Sequence, residues 1–366
     1  MKKSLFALAA LGLVAGAAQA QSSVTLYGVA DMNIEFASHM SSVSGTNGPS
    51  GNVTRMSSGG LSGSRWGLRG VEDLGSGMKA LFVLENGFAL DTGSIQQGGR
   101  LFGRQAYVGL ENSQFGRITL GRQYTTLFDL LANFSPSGYA TQYEPVVAQL
   151  GVNFRSDNTV KYTGVFGPVT AIAHWSFGAG APGNGEVPGQ FRRDTAYGAG
   201  VGYAAGPFGA TIAYDQFNPT ESAAAGTTTT YKKAAVAGSY AFGPAKVMAG
   251  YRWGQAKSSA GASVLRDDYY WIGANYQVTA PLGLTLQYNY DNVKSFNGVN
   301  VPNPWQVSFI ADYNLSKRTD VYLTAAYAKN AGLNLDTAAI GFANGYALGA
   351  GKTNMLGAGV GIRHKF

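Results

Sequence analysis

Cysteine is missing from this chain altogether, so its fold is held without disulfides, by an extensive hydrogen-bonded and packed framework. Charge is sparse: Asp, Glu, Lys and Arg make up 13% of 366 residues, and the net charge is only +7. A basic excess that dilute, on a chain with an export signal, excludes a nucleic-acid binder. Histidine is scarcer still, with His39 in a polar stretch, His174 in a strand and His364 near the end. No Cys or His cluster points to a metal, no cofactor is implied, and no nucleophile with a base in reach marks an enzyme. Long apolar runs are lacking too. The longest, Leu5 to Ala17, falls short of the roughly 20 residues a helix needs to cross hydrocarbon.

That run follows Lys2 and Lys3 and precedes the small-x-small sequence Ala18-Gln19-Ala20, which together read as a signal peptide over residues 1–20. The mature domain is then 21–366 and exported. What this domain has in abundance is 52 Gly, 21 Tyr and 19 Phe, a composition of aromatic-rich strands relieved by glycine rather than of helices or disorder.

Polarity alternates with a period of two, as a strand with two different faces requires. Leu284, Leu286, Tyr288 and Tyr290 oppose Thr285, Gln287, Asn289 and Asp291, and Trp305, Val307, Phe309, Ala311 and Tyr313 oppose Gln306, Ser308, Ile310, Asp312 and Asn314. Val247 to Trp253 and Val321 to Tyr327 repeat the scheme. A soluble β-sandwich also alternates. Here, however, the segments run about 9 to 12 residues and carry aromatics at their ends, which suits tilted strands crossing a bilayer between aromatic girdles.

The connections alternate short and long. Seven are short: Gly75-Ser76-Gly77, Ser113 to Gly116, Gly167-Pro168, Gly206-Pro207, Gly243-Pro244, Ala280 to Gly283, and Ser316-Lys317-Arg318. A barrel of n strands with both ends on one side has n/2 − 1 short turns, so seven predict an all-β, 16-stranded antiparallel transmembrane barrel, wide enough for a water-filled channel. The last strand, Asn354 to Phe366, ends on an aromatic, a feature that looks like the C-terminal signal read by barrel-assembly machinery.

One long connection differs in composition. Tyr124 to Asn158 carries Leu127, Phe128, Leu130, Leu131, Phe134, Val146 and Val147, which need a surface to pack on. Folding into the lumen would supply it. Arg65 and Arg69 share one face of their strand, with Trp66 and Leu68 on the other. Since a charge facing lipid at mid-bilayer costs roughly 2 to 4 kcal/mol, both arginines are expected to point into water. Arg104 follows with less register support, and Arg155 lies where the long connection rejoins the wall. These arginines, facing only Asp129 and Glu144 in the connection, would make the pore net positive and favour anions.

These residues resemble the trimeric general porins of Gram-negative bacteria, of the β-proteobacterial type. The likeness is carried by Val24-Thr25-Leu26-Tyr27-Gly28, by the stretch from Ser64-Arg65-Trp66 to Asp73-Leu74-Gly75, by Gly121-Arg122-Gln123-Tyr124, by Tyr313-Asn314-Leu315-Ser316-Lys317-Arg318-Thr319 and by Gly361-Ile362-Arg363-His364-Lys365-Phe366. The resemblance implies an outer-membrane homotrimer whose third loop folds inward, its acids opposing a basic wall cluster of Arg65, Arg104 and Arg155. Porins of this class often carry Pro-Glu-Phe-Gly in that loop. Here Phe134-Ser135-Pro136-Ser137-Gly138 stands instead, so whether Asp129 or Glu144 is the acidic partner is left open.

The function expected is passive diffusion of small hydrophilic solutes and ions, weakly favouring anions. Its expected partners are outer-membrane lipids, lipopolysaccharide and, during biogenesis, the barrel-assembly machinery. A substrate-selective channel is the alternative, with Tyr269, Trp271 and Tyr322 as candidate lumenal aromatics. An outer-membrane barrel enzyme is the remote one.

Overall fold

The computed structural model describes residues 23–43, 47–179, 186–336 and 345–366. The expected signal peptide, 1–20, lies outside them. The strands are β1 (Ser23–Ser41), β2 (Ser50–Ser58), β3 (Arg65–Gly75), β4 (Met78–Gly87), β5 (Gln105–Asn112), β6 (Gly116–Tyr124), β7 (Arg155–Phe166), β8 (Val169–Ser176), β9 (Ala196–Ala205) and β10 (Phe208–Phe217). A two-stranded hairpin, β11 (Thr220–Ser222) and β12 (Thr227–Thr228), decorates the next connection. The wall resumes with β13 (Thr230–Phe242), β14 (Ala245–Lys257), β15 (Ser263–Gln277), β16 (Leu282–Phe296), β17 (Trp305–Asn314), β18 (Thr319–Lys329) and β19 (Asn354–Lys365). Two short helices, α1 (Thr126–Leu131) and α2 (Val146–Leu150), lie in the long connection after β6.

Each wall strand pairs antiparallel with its neighbours, and β1 pairs with β19 from Val29↔Lys365 to Ala37↔Gly357, so the sheet closes. Closure leaves no free edge. The closing seam is finished by Phe366, whose N–H donates to the Gly28 carbonyl (3.1 Å) and whose carbonyl accepts from the Gly28 N–H (3.0 Å). Glycine is required at 28 because a Cβ there would overlap the Phe366 ring.

Seventeen strands share the sheet, yet the wall is 16-stranded. The two counts agree because β2 and β3 lie end to end along one side of β1, β2 beside Met32–Ser41 and β3 beside Ser23–Val29. Between them the chain leaves the ladder. Gly59 turns it at φ +82°, and the N–H groups of Gly60, Leu61 and Ser62 donate to the Asp31 carboxylate at 2.9, 3.0 and 2.7 Å. One buried carboxylate thus replaces the missing ladder partners.

All seven short connections expected from the sequence join consecutive wall strands. In three of them Gly167, Gly206 and Gly243 adopt φ of +60°, +55° and +51° and a proline follows. Glycine reaches this region without strain, and proline, lacking an N–H, loses nothing where the ladder ends.

The faces are inverted relative to a soluble protein. Leu26, Ile118, Ile212, Val236, Ile272, Leu286 and Val360 are exposed, whereas Asn33, Glu35, Gln287, Asn289, Gln306 and Thr324 on the other face are buried. Aromatics from neighbouring strands meet on the outward face, as in Tyr288–Trp305–Tyr327 with centroids 6.0 and 5.6 Å apart. Such rings suit a membrane–water boundary, since each has an apolar body and a polar tip.

Candidate functional site

The segment between β6 and β7 starts with Thr125 capping α1, its hydroxyl accepting from the Phe128 N–H at 3.4 Å. His174 on β8 holds the same turn: its Nδ1 accepts from the Thr126 N–H (3.2 Å) and lies 2.8 Å from the Thr126 hydroxyl. From there Leu127, Leu130, Leu131 and Phe134 pack in one cluster with Ile172, Ala213, Ala235, Ala237, Tyr269 and Trp271, all on the polar face of β8, β10, β13 and β15. The wall is cut back to receive them. A Cβ on Gly200 or Gly202 would press on Leu130, which explains the glycine and alanine placed there where larger residues would have filled the lumen.

Polar anchors tie the rest of the segment to strands far apart in sequence. Trp271 Nε1 donates to the Phe134 carbonyl (2.9 Å). Gln306 Nε2 and the Ser308 hydroxyl both donate to the Tyr143 carbonyl (2.7 Å each), and the Tyr143 hydroxyl donates to Glu35 on β1 (2.9 Å). Arg252, fully buried on β14, donates to the carbonyls of Ala148 (2.6 Å) and Gln149 (3.1 Å) at the end of α2 and pairs with Asp267 (2.6 Å). A cation at a helix C-terminus meets the negative end of the peptide dipoles.

Three of the four arginines anticipated from the sequence come together at the root of this segment. Tyr124 and Arg155, the last residue of β6 and the first of β7, are cross-strand partners. The Tyr124 hydroxyl accepts from Arg104 Nη2 and from Arg155 Nη2, each at 3.2 Å, and the Arg155 guanidinium lies 4.8 Å over the Tyr124 ring and 4.7 Å over Phe154. Arg65 lines the same cavity. Arg104 precedes β5 by one residue. Within the strand its parity would match the exposed Val108 and Leu110; outside it, the side chain is free to turn to the polar face.

Arg69 stands apart, exposed and 5.5 Å over the Tyr27 ring. The acids differ from expectation. Asp129 does not oppose the arginines; it pairs with Lys161 on β7 at 2.6 Å, the nearest cation as α1 passes the wall. Glu144 lines the arginine cavity, but its carboxylate accepts from neutral groups, Ser135 (3.2 Å), Gln287 (3.0 Å) and Ser137. Burial without a cationic partner pushes it up to about 7.

The acid among the arginines is Glu85 on β4, unforeseen in the sequence. It accepts from Arg104 Nε at 2.7 Å, lies 3.8 Å from Arg65 Nε and accepts from the Tyr27 hydroxyl at 3.0 Å. Its strand reads Met78-Lys79-Ala80-Leu81-Phe82-Val83-Leu84-Glu85, a nearly continuous apolar run in which no alternation marks it as inward. Arg252 and Glu35 were also missed, though Asp31, Asn33 and Glu35 do recur with a period of two. Among the described residues no group of three His, Asp or Glu could hold a metal.

A family model described as Gram-negative porin matches residues 7–333. The chain belongs to that family. Over its whole length it is 30% identical to an outer membrane porin protein of Bordetella pertussis and 32% identical to outer membrane porin protein 32 of Delftia acidovorans, each also covered completely. Among solved structures, an anion-selective porin from Comamonas acidovorans superposes with a TM-score of 0.78 at 26% identity, covering 94% of this chain and all of that one. An OmpT of Vibrio cholerae shares the fold, with a TM-score of 0.69 at 16% identity, covering 94% of this chain and 98% of that one. This porin is therefore an outer-membrane channel rather than an enzyme. Small hydrophilic solutes diffuse through its lumen, which the inverted faces keep polar.

Proposed function

We propose that this porin is a weakly anion-preferring diffusion pore, narrowed by the segment 124–158, with Arg65, Arg104 and Arg155 as the basic wall of the narrowing. The observation that carries the reading is the charge balance around one cavity, which Arg65, Arg104 and Arg155 line together with Glu144, while Glu85 sits beside it, paired with Arg104 and near Arg65. In a lumen walled by low-dielectric protein, a surplus of one positive charge with Glu144 ionised, or two with it protonated, concentrates anions and repels cations at the point every solute must pass. Arg69 lies outside this group and contributes only to the lumen's general field. Asp129, neutralised by Lys161, subtracts little from the preference, and Glu144 subtracts most at alkaline pH.

Assembly has support as well: among solved structures of similar fold is a trimer form of OmpT of Vibrio cholerae, and a homotrimer is proposed for this chain, surrounded by outer-membrane lipid and lipopolysaccharide. Phe366, bonded into the closing seam, is proposed to be read by the barrel-assembly machinery before that seam forms. The deciding experiment is the reversal potential of the purified protein in planar bilayers under a potassium chloride gradient. Chloride preference is expected, and its loss when Arg65 and Arg155 are both changed to Gln. A cation preference in the unaltered protein would overturn the assignment of the basic wall.

A further inference from the structure

We infer that the cavity between the arginines and the start of the inward segment binds small aromatic carboxylates, benzoate being the simplest, as they pass. The inference rests on the anion-preferring reading and deepens it by naming a solute class.

The cavity encloses about 410 Å³, within the range of sites that hold small organic molecules. Its two sides differ in chemistry. On the apolar side Phe128 stacks with Tyr124 at 3.9 Å and 5° and with Phe154 at 5.5 Å and 14°, with Tyr139 tilted at 5.0 Å. Packed against these rings, Phe128 lines the cavity with Phe154, and Val146 extends the apolar surface. A ring edge carries partial positive charge and prefers the negative face of another aromatic.

On the basic side two arginines keep unused donors. Among the described residues Arg65 has one ion-pair contact, at 3.8 Å, and Arg155, which also lines the cavity, makes one hydrogen bond, from Nη2 to Tyr124. Arg104 is committed to Glu85 and Tyr124. The oxygens of Glu144 are likewise taken by Ser135, Ser137 and Gln287. A carboxylate set on Arg65 and Arg155 would satisfy both sets of free donors, while a ring attached to it would reach Phe128 and Phe154. Chloride or acetate can use only the basic side. A saturated ring can use both sides but forms no edge-to-face contact.

Single-channel chloride current through the full-length protein, titrated separately with benzoate, cyclohexanecarboxylate and acetate, tests this. Benzoate is expected to interrupt the current in a saturable way, with a half-blocking concentration about tenfold below that of acetate and about threefold below that of cyclohexanecarboxylate. Phe128→Leu should raise the benzoate value and leave that of acetate alone, and Arg155→Gln should raise all three. Equal block by the three anions in the unaltered protein overturns the inference without any variant having to fold. Normal anion-preferring conductance with no benzoate block also overturns it and leaves the general reading standing; a cation-preferring channel overturns both.

Discussion

Arg252 is the buried charge on which the end of the inward segment hangs, and replacing it with Met separates the segment's attachment from the barrel's integrity. The side chain is fully buried and makes three charge-assisted contacts, to Asp267 at 2.6 Å and to the carbonyls of Ala148 and Gln149 at 2.6 and 3.1 Å. Each bond to a carbonyl contributes about 1.5 to 3 kcal/mol. Removing one partner of a buried ion pair costs about 3 to 5 kcal/mol in all, because the other charge stays buried without compensation. The β14–β15 ladder, paired from Ala245↔Tyr276 to Lys257↔Ser263, uses backbone groups and is untouched. Arg252→Met should therefore leave the folded barrel's gel migration unchanged while loosening α2. The expected readouts are flickering single-channel current and faster protease cleavage between residues 132 and 154. Adding Asp267→Asn removes the orphaned charge and should recover about half of the loss, a coupling that a double-mutant cycle isolates. If the single variant is as quiet and as protease-resistant as the parent, the attachment does not depend on Arg252 and the reasoning fails.

Glu144 supplies a pH prediction. Its folded value of about 7 lies above the ordinary 4.5, so the folded segment binds the proton more tightly than the unfolded one. The segment is then most stable below about pH 4.5, and stability falls as pH rises towards 7, by about 3 kcal/mol at most. Chloride preference should also rise as pH drops from 8 to 6, and Glu144→Gln should flatten that slope in reversal-potential measurements. Glu85→Gln removes the carboxylate that lies against Arg65 and Arg104 and is expected to strengthen anion preference, whereas Asp129→Asn, acting on an acid already paired with Lys161, should move it much less. Trp271→Phe keeps an aromatic ring, though a smaller one, and loses the bond to the Phe134 carbonyl, for an expected cost of at least about 1 to 2 kcal/mol in thermal melting. Gly28→Val places a branched side chain where the Phe366 ring sits, so heat-modifiable gel migration should show a sharply reduced folded fraction.

The wall was legible in the sequence because the pleat writes it locally. Successive side chains on a strand face opposite ways, one face meets lipid and the other water, and turns need glycine and proline at the points where the ladder ends. Leu284 to Asp291 and the seven short connections therefore announced both the barrel and its size. The same local signal was silent where the chain leaves the ladder. Nothing between Ser58 and Arg65 tells that Asp31, some thirty residues earlier, will collect three N–H groups and break one wall strand into β2 and β3. Arg104 reaches the polar face only because β5 begins one residue later.

The apolar side chains of Leu127 to Phe134 showed that the long connection needed a surface, and Arg65 and Arg155 were found from register and position. Which acid lies beside Arg65 and Arg104 was settled only by the register of the neighbouring strands. Pairing with β3 on one side and β5 on the other sets β4 between Arg65 and Arg104, so that Glu85, hidden in an apolar run, comes to lie between them, while α1 carries Asp129 past Lys161 and leaves Glu144 among neutral partners. Alternation is a property of one strand and survives in the one-dimensional sequence. Charge pairing is a property of side chains on different strands, and it exists only once pairing and register have turned them to face the same water.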